Sequence, residues 1–133
     1  MTSSYDLMPY ECKPISVTHL RRLATLGRML GLDPAPVDQC TVLELGCADG
    51  SNILPMALEY PDSRFLGLDL SANQIGHGQN MAAQLDLDNI QLIHADVSQV
   101  DLDPGSTDYI IAHGLYSWVP EHVQKAILAL MAK

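Results

Sequence analysis

Glycines and acidic residues share one short stretch, LELGCADG, which covers residues 43–50. Glu44 stands two residues before Gly46, and Gly50 follows four residues after it. Glycine adopts positive φ without strain and lets the backbone come close to a ligand. Cys47 lies inside the stretch, where a small side chain fits a turn. The chemistry that this pattern supports is therefore the binding of a small molecule by a loop.

Two ligand classes use a glycine-rich loop after a buried strand. The dinucleotide pattern G-x-G-x-x-G would place its glycines at 46, 48 and 51, and only Gly46 matches. The pattern acid-x-G-x-G-x-G matches at Glu44, Gly46 and Gly50, with Ala48 in the place of the middle glycine. The second pattern fits better, and the lysine of a P-loop is absent. The methyl group of Ala48 is expected to require a negative φ or to press on the ligand.

Two further acids follow apolar runs. Asp69 ends the run in GLDLS, and Asp96 follows the run in IHADV. An aspartate at a strand end is a turn or capping residue about as often as it is a ligand residue. Because three polar sites follow three successive strands in order, we favour a nucleoside-type ligand. Asp69 would accept hydrogen bonds from ribose hydroxyls, and Asp96 from an adenine amino group.

The elements that must position these residues follow from hydrophobic periodicity. Predicted strands cover 41–45, 64–68, 90–94 and 108–112. Predicted helices cover 16–30, 52–60, 71–87 and 121–132. The first helix is expected to bury a stripe of leucines at 20, 23, 26 and 30. Alternation of strands and helices predicts a doubly wound α/β sheet, with parallel strands buried on both faces.

Composition excludes several function classes. The net charge is -9 with only seven Lys and Arg, which argues against a nucleic-acid binder because such binders rest on clustered cations. No apolar run is long enough for a membrane span. Three cysteines without metal-ligand spacing predict reduced thiols in a cytoplasmic protein and no metal site.

The sequence resembles class I S-adenosylmethionine-dependent methyltransferases. More narrowly, it is similar to bacterial methyltransferases that carry a methyltransferase regulatory domain, some of which are protein-lysine methyltransferases. The resemblance runs through YDLMPY, RLATLGRMLGLDPAPVDQCTVLELGCADG, GLDLS, HADV and, most specifically, AHGLYSWVP.

The resemblance implies S-adenosylmethionine as cofactor and a Rossmann-like sheet in the order 3-2-1-4, preceded by one helix. It also implies seven strands, so the last three are expected to be missing and the chain to be truncated after the fourth. Residues 1–15 would form an arm or lid, with Tyr5, Asp6 and Tyr10, and residues 16–133 the cofactor-binding domain. The implied cofactor residues are Glu44, Gly46, Cys47, Ala48, Gly50, Asp69, Leu70, Asp96, Val97 and His113.

The residues that would contact the methyl acceptor are predicted in the segment after the fourth strand. His113 either lines the transfer site and takes a proton from the acceptor, or packs against the next loop. Tyr116 either forms a wall of the acceptor pocket or anchors its loop, and both are predicted as catalytic candidates. Trp118 either forms a wall of the acceptor pocket or, as we favour, is a hydrophobic anchor that fixes the loop to the last helix.

Three functions remain open from the sequence. The first is methyl transfer to an acceptor that the sequence does not name, with protein lysine as a candidate. The second is a non-catalytic fragment that binds S-adenosylmethionine or S-adenosylhomocysteine, and the third is a nicotinamide-dependent oxidoreductase. The fourth strand would form an exposed edge, and the last helix, with Ile127, Leu128 and Leu130, would lose part of its cover. Homo-oligomerisation through either element is therefore expected.

Overall fold

The computed structural model describes residues 12–133. Most of the predicted arm, including Tyr5, Asp6 and Tyr10, lies outside the described residues. Residues 12–15 belong to no helix or strand, and a 3₁₀ turn at Ser16–Thr18 follows them.

Four parallel strands form the sheet, in the order β3-β2-β1-β4. Their bounds are β1 Thr41–Leu45, β2 Arg64–Asp69, β3 Ile90–His94 and β4 Tyr109–Ile111. Strand β1 is central, with Glu44 opposite Gly67 of β2 on one side and opposite Ile111 of β4 on the other. The predicted fold class and strand order are confirmed.

The helices are α1 Leu20–Met29, α2 Leu54–Glu59, α3 Ala72–Gln84 and α4 Glu121–Met131. The side chain of Ser71 caps α3 by accepting from the amide of Gln74, as the capping-box spacing predicts. Helix α3 ends at Gln84, three residues before the predicted end, because Asp86 takes a left-handed φ of 53°. Pro55 lies in the first turn of α2, where its missing amide costs no helical hydrogen bond.

The predicted start of α1 is wrong, and its predicted leucine stripe is confirmed only in its first half. The helix begins at Leu20 rather than at residue 16, because Nδ1 of His19 caps it by accepting from the Arg21 amide. Leu20 is buried and Leu23 packs against the core, but Ala24 and Gly27 complete the buried face. Leu30 is 80% exposed and Leu26 is 44% exposed. The small residues lie inward because Gly27 packs against Pro34 of the following connector.

The core has one hydrophobic cluster that joins α1 to the central strands and a second that joins them to α4. Strand β3 departs from the expectation that every strand is buried on both faces, because Ile93 is 39% exposed at this edge of the sheet. Within residues 12–133, no helix combines the length and the apolar content that a bilayer span needs.

Candidate functional site

The carboxyl ends of the four strands meet at one edge of the sheet, where ligands bind in folds of this type. The glycine loop, residues 46–50, follows β1 directly, and Asp69 is the last residue of β2. Asp96 stands two residues after the end of β3, and His113 stands two residues after the end of β4. The structure therefore brings the predicted residues to a common edge.

The glycine loop is built from alternate residues in the left-handed conformation. Gly46 has φ 71°, Ala48 has φ 53° and Gly50 has φ 77°. The amides of Gly46 and Cys47 both donate to the carbonyl of Leu68, at 2.8 and 3.1 Å, and so tie the loop to β2. The expectation that Ala48 needs a negative φ is wrong, since its φ of 53° lies in the left-handed region that favours glycine.

Asp69 explains how Ala48 is held there. Its Oδ2 accepts a hydrogen bond from the Ala48 amide at 2.8 Å, and its Oδ1 accepts one from the Ser71 amide at 2.8 Å. Each carboxylate oxygen has a second lone pair, so Asp69 retains acceptor capacity for a ligand. The half-buried carboxylate therefore organises the loop besides standing at the predicted ribose position.

Glu44 is a buried acid at the root of the loop, with 4% of its surface exposed. Its Oε1 accepts from Nδ2 of Asn52 at 2.7 Å, whereas its Oε2 has no hydrogen-bond partner among the described residues. Burial raises the pKa of Glu44 to about 7, the hydrogen bond from Asn52 opposes this rise, and the charge of Asp69 adds to it. A buried acceptor without a partner favours a ligand that donates to it.

Cys47 offers a ligand only its backbone. Its side chain is 5% exposed and packs against Gly67 of β2, where an added Cβ would lie 2.7 Å from the Cys47 Sγ. Burial raises the pKa of the thiol, which keeps it protonated and unreactive.

Most amides at the start of the helix that follows the loop are already engaged in hydrogen bonds. The Ser51 amide donates to Oδ1 of Asp49 at 2.9 Å, and the amides of Ile53 and Leu54 both donate to the carbonyl of Gly50. Helix α2 also has only six residues. The amides of Ser51, Ile53 and Leu54 are therefore not free to bind an anionic ligand.

The residues after β3 form a compact turn. Asp96 caps the 3₁₀ turn Val97–Gln99, because its Oδ1 accepts from the amide and the hydroxyl of Ser98 at 2.8 and 2.7 Å. The hydrogen bond from the Ser98 hydroxyl, followed by that from the amide, holds the pKa of Asp96 below its usual value. Val97 is 7% exposed, and Leu70 is 45% exposed beside Asp69.

The segment after β4 exposes the side chains that are predicted to contact the methyl acceptor. His113 is exposed, and Tyr116 and Trp118 lie in a 3₁₀ turn with 41% and 77% of their surfaces exposed. The expectation that Trp118 anchors the loop is wrong, since the turn directs Leu115 inward instead. Leu115 packs over Gly46, where an added Cβ would lie 3.2 Å from the Leu115 Cδ1.

Two residues that shape the site were not predicted from the sequence. Asn52 is 7% exposed and bonds Glu44. Gly78 lets α3 approach the loop, because an added Cβ there would lie 2.3 Å from the carbonyl oxygen of Asp49. A glycine inside a helical pattern is a signal of close packing that could have identified Gly78. Among residues 12–133, no group of three His, Cys, Asp or Glu side chains could hold a metal ion.

Comparison with known proteins identifies the family. The model of the family described as "Methyltransferase domain" matches residues 42–133. Two relatives are proteins of Rickettsia prowazekii (strain Madrid E). The uncharacterized protein RP789 is 41% identical over 123 residues, which are 92% of this chain and 22% of the relative. The uncharacterized protein RP028 is 38% identical over 130 residues, which are 98% of this chain and 52% of the relative.

A solved structure with the same fold is PKMT2 from Rickettsia typhi in complex with AdoHcy. Its TM-score is 0.86 at 37% identity, and the match covers 92% of this chain and 24% of that chain. The chain thus spans from about a fifth to about half of the length of these relatives. The family match and the sheet order together establish that the chain belongs to the methyltransferase-domain family, as a class I S-adenosylmethionine-dependent methyltransferase domain.

Proposed function

We propose that this domain holds S-adenosylmethionine across the glycine loop and transfers its methyl group to a protein lysine. The observation that carries the cofactor site is the hydrogen bond from the Ala48 amide to Asp69. It fixes the glycine loop and the predicted ribose acceptor in one unit. When bound, S-adenosylmethionine supplies an electrophilic methyl group on a sulfonium.

The residues present fit this cofactor. Gly46 and Gly50, with φ of 71° and 77°, form a backbone cradle for its methionine end. The Oε2 of Glu44 is a buried acceptor without a partner among the described residues, which suits the ammonium group of an amino acid. Asp69 would accept hydrogen bonds from the ribose hydroxyls, and Asp96 would accept one from the adenine amino group. Leu70 and Val97 follow these two acids in the sequence.

A cationic acceptor fits the chemistry after β4. Tyr116 and Trp118 are exposed aromatic side chains at the edge of the site, and such rings attract ammonium groups. The net charge of -9 would draw a basic protein segment toward the domain. His113, which is exposed, would take the proton that a lysine amine must lose before it attacks. The similarity to PKMT2 supports the same acceptor.

Calorimetry with S-adenosylhomocysteine tests the cofactor site. Asp69→Ala removes an anionic acceptor of the ribose and the anchor of the Ala48 amide. Hydrogen bonds to a charged group contribute about 1.5–3 kcal/mol each, so we expect at least a tenfold loss of affinity. The control is Asp108→Ala, which removes a bond to the Thr41 amide at the opposite end of β1. Equal affinity for wild type and Asp69→Ala would remove Asp69 from the site.

Methyl transfer to lysine is tested with radiolabelled S-adenosylmethionine and a lysine-rich peptide. The control peptide carries arginine at every lysine position and should gain no label. We expect Tyr116→Ala to slow the transfer while its affinity for S-adenosylhomocysteine stays unchanged, and His113→Gln to slow the transfer by removing the proton acceptor. Binding without turnover on any acceptor would instead favour the non-catalytic fragment.

We also propose that the chain self-associates and that it is located in the cytoplasm. Self-association through β4 or α4 is consistent with β4 being an edge strand. A cytoplasmic location rests on the three cysteines, none of which forms a disulfide in the described residues.

A further inference from the structure

Asn52 joins two parts of the chain that are far apart in sequence. Its Nδ2 donates to Oε1 of Glu44 at 2.7 Å and to Oγ1 of Thr18 at 3.0 Å. Its Oδ1 accepts from the amide of Ile15 at 2.8 Å. The side chain is 7% exposed, so these three hydrogen bonds form in the interior, where leaving one unmade is costly.

The orientation of the Asn52 amide group is fixed by its partners. The Ile15 amide can only donate, so the carbonyl oxygen of Asn52 must face it. The nitrogen is then directed to Glu44 and Thr18, and the Thr18 hydroxyl donates in turn to the carbonyl of Ile15. The side-chain amide of Asn52 therefore bonds both the 3₁₀ turn at Ser16–Thr18 and Glu44, the acid that precedes the glycine loop.

The segment before this 3₁₀ turn continues toward the carboxyl end of β2. Cys12 donates from its thiol to Oε1 of Gln74, in the first turn of α3, at 3.1 Å. Burial raises the pKa of this thiol, a backbone hydrogen bond at Asp49 opposes the rise, and the charges of Asp49 and Asp69 add to it. Residues 12–18 thus run from Asn52, just after the glycine loop, to the first turn of α3, and so border both halves of the proposed cofactor site.

We propose that Asn52 is a positioning residue that couples the docking of residues 12–18 to cofactor binding. With the segment docked, Asn52 occupies Oε1 of Glu44 and leaves Oε2 for the cofactor. The coupling is reciprocal, so the cofactor must also hold the segment in place. This inference rests on the proposed cofactor site, and its test must be separable from a failure of that site.

The first test is a double-mutant cycle with S-adenosylhomocysteine as the titrant. Thr18→Val keeps the shape of the side chain and removes the hydrogen bond from Asn52, together with the bond from the Thr18 hydroxyl to the Ile15 carbonyl. We expect it to weaken binding at least about two- to tenfold, which corresponds to the loss of the bond from Asn52 alone. In an Asn52→Ala background the same change should have a smaller effect, because the link to Glu44 is already absent and only the bond to Ile15 is lost. Thr25→Val is the matched control, since its hydroxyl bonds only the Arg21 carbonyl on α1 and is exposed.

The second test follows the segment itself. Cys12 is half-buried, whereas Cys40 and Cys47 are buried, so alkylation by iodoacetamide can be measured at Cys12 by peptide mass spectrometry. We expect S-adenosylhomocysteine to slow the alkylation of Cys12 several-fold in wild type. In Asn52→Ala the thiol should react faster, and the ligand should no longer protect it.

The two tests separate the possible failures. Absence of binding to wild type would overturn the proposed cofactor site and the coupling with it. Normal binding to wild type together with equal affinity of Thr18→Val would overturn the coupling alone. The same conclusion would follow if S-adenosylhomocysteine left the alkylation of Cys12 unchanged. If Asn52→Ala fails to fold, Thr18→Val and the wild-type alkylation still decide the question.

Discussion

Glu44 links the stability of the domain to pH. Burial raises its pKa from 4.5 to about 7, so the folded protein binds more protons than the unfolded chain between these values. The contribution of Glu44 to the free energy of unfolding is fully present below pH 4.5 and is lost as the pH rises through about 7. A protein at neutral pH therefore keeps a partly ionised acid in its interior, which is unfavourable unless a ligand donates to it.

The variant Glu44→Gln removes this titration. The free energy of unfolding of wild type relative to Glu44→Gln should fall by on the order of 3 kcal/mol between pH 4.5 and pH 7, at 1.36 kcal/mol for each pKa unit. Urea unfolding at a series of pH values measures the difference. Glu59→Gln is the control, because hydrogen bonding holds the pKa of Glu59 below 4.5 and its stability change has the opposite direction. Parallel curves for wild type and Glu44→Gln would contradict the prediction.

Ala48 holds a glycine conformation at a cost. A left-handed conformation costs an L-residue roughly 1–2 kcal/mol, and the flexibility of glycine in the unfolded chain offsets about 0.5–1 kcal/mol of that. We therefore expect Ala48→Gly to stabilise the fold slightly and to keep or improve affinity for S-adenosylhomocysteine. Ala48→Val should weaken both, since a β-branched residue is strained at φ 53°.

The control for Ala48 is Asp86→Gly. Asp86 has the same φ of 53° but is exposed near the end of α3. Thermal melting should show a similar gain for this variant, and calorimetry should show no change in affinity. Wild-type affinity in Ala48→Val would mean that residue 48 points away from the ligand.

Helix α3 positions the glycine loop through a single small residue. Gly78 faces the Asp49 carbonyl, and an added Cβ would also lie 2.4 Å from the Cδ1 of Leu92. Backbone atoms cannot yield as a flexible side chain can, so α3 or the loop would have to shift. Gly76 lies in the same helix with nothing within 4 Å of an added Cβ.

This pair of glycines supplies a matched test of α3. Gly78→Ala should destabilise the domain by about 1–3 kcal/mol through overpacking and should lower affinity for S-adenosylhomocysteine by moving Asp49. Gly76→Ala should stabilise it by about 0.8–1.0 kcal/mol, because alanine is the better helix former. Chemical unfolding and calorimetry measure both effects. Equal stability of the two variants would show that α3 can move away from the loop without cost.

Local patterns predicted most of the molecule. The apolar runs predicted all four strands, and the spacing of Ser71 and Gln74 predicted the start of α3. The face of α1 was mispredicted, because Gly27 packs on a connector whose position the helix sequence does not encode. Asn52 was missed for the same reason, since its partners Thr18 and Ile15 are 34 and 37 residues away. Contacts between segments that are distant in sequence determine these features, and hydrophobic periodicity does not encode such contacts.

At the scale of the whole sheet, β4 is an edge strand among residues 12–133. Tyr109 and Ile111 are buried at 8% and 3%, and Ile110 is half-buried. The expectation that α4 loses its cover is wrong for Ile127 and Leu130, which are 0% and 3% exposed. Their burial in the cluster with β1 leaves only the outer face of α4, with Leu128 at 51%, available for contact.

Self-association through this edge is therefore expected to use the backbone of β4 and the outer face of α4. Light scattering over a concentration series should show a rising mean mass for wild type. Leu128→Lys and Ile110→Lys should lower it, because a lysine on an edge opposes pairing. Ile111→Lys is unsuitable, since that side chain is in the core. The control is Leu30→Lys, at the exposed end of α1, which should leave the association intact. A monomer at every concentration, or loss of association only in Leu30→Lys, would show that β4 and α4 form no interface.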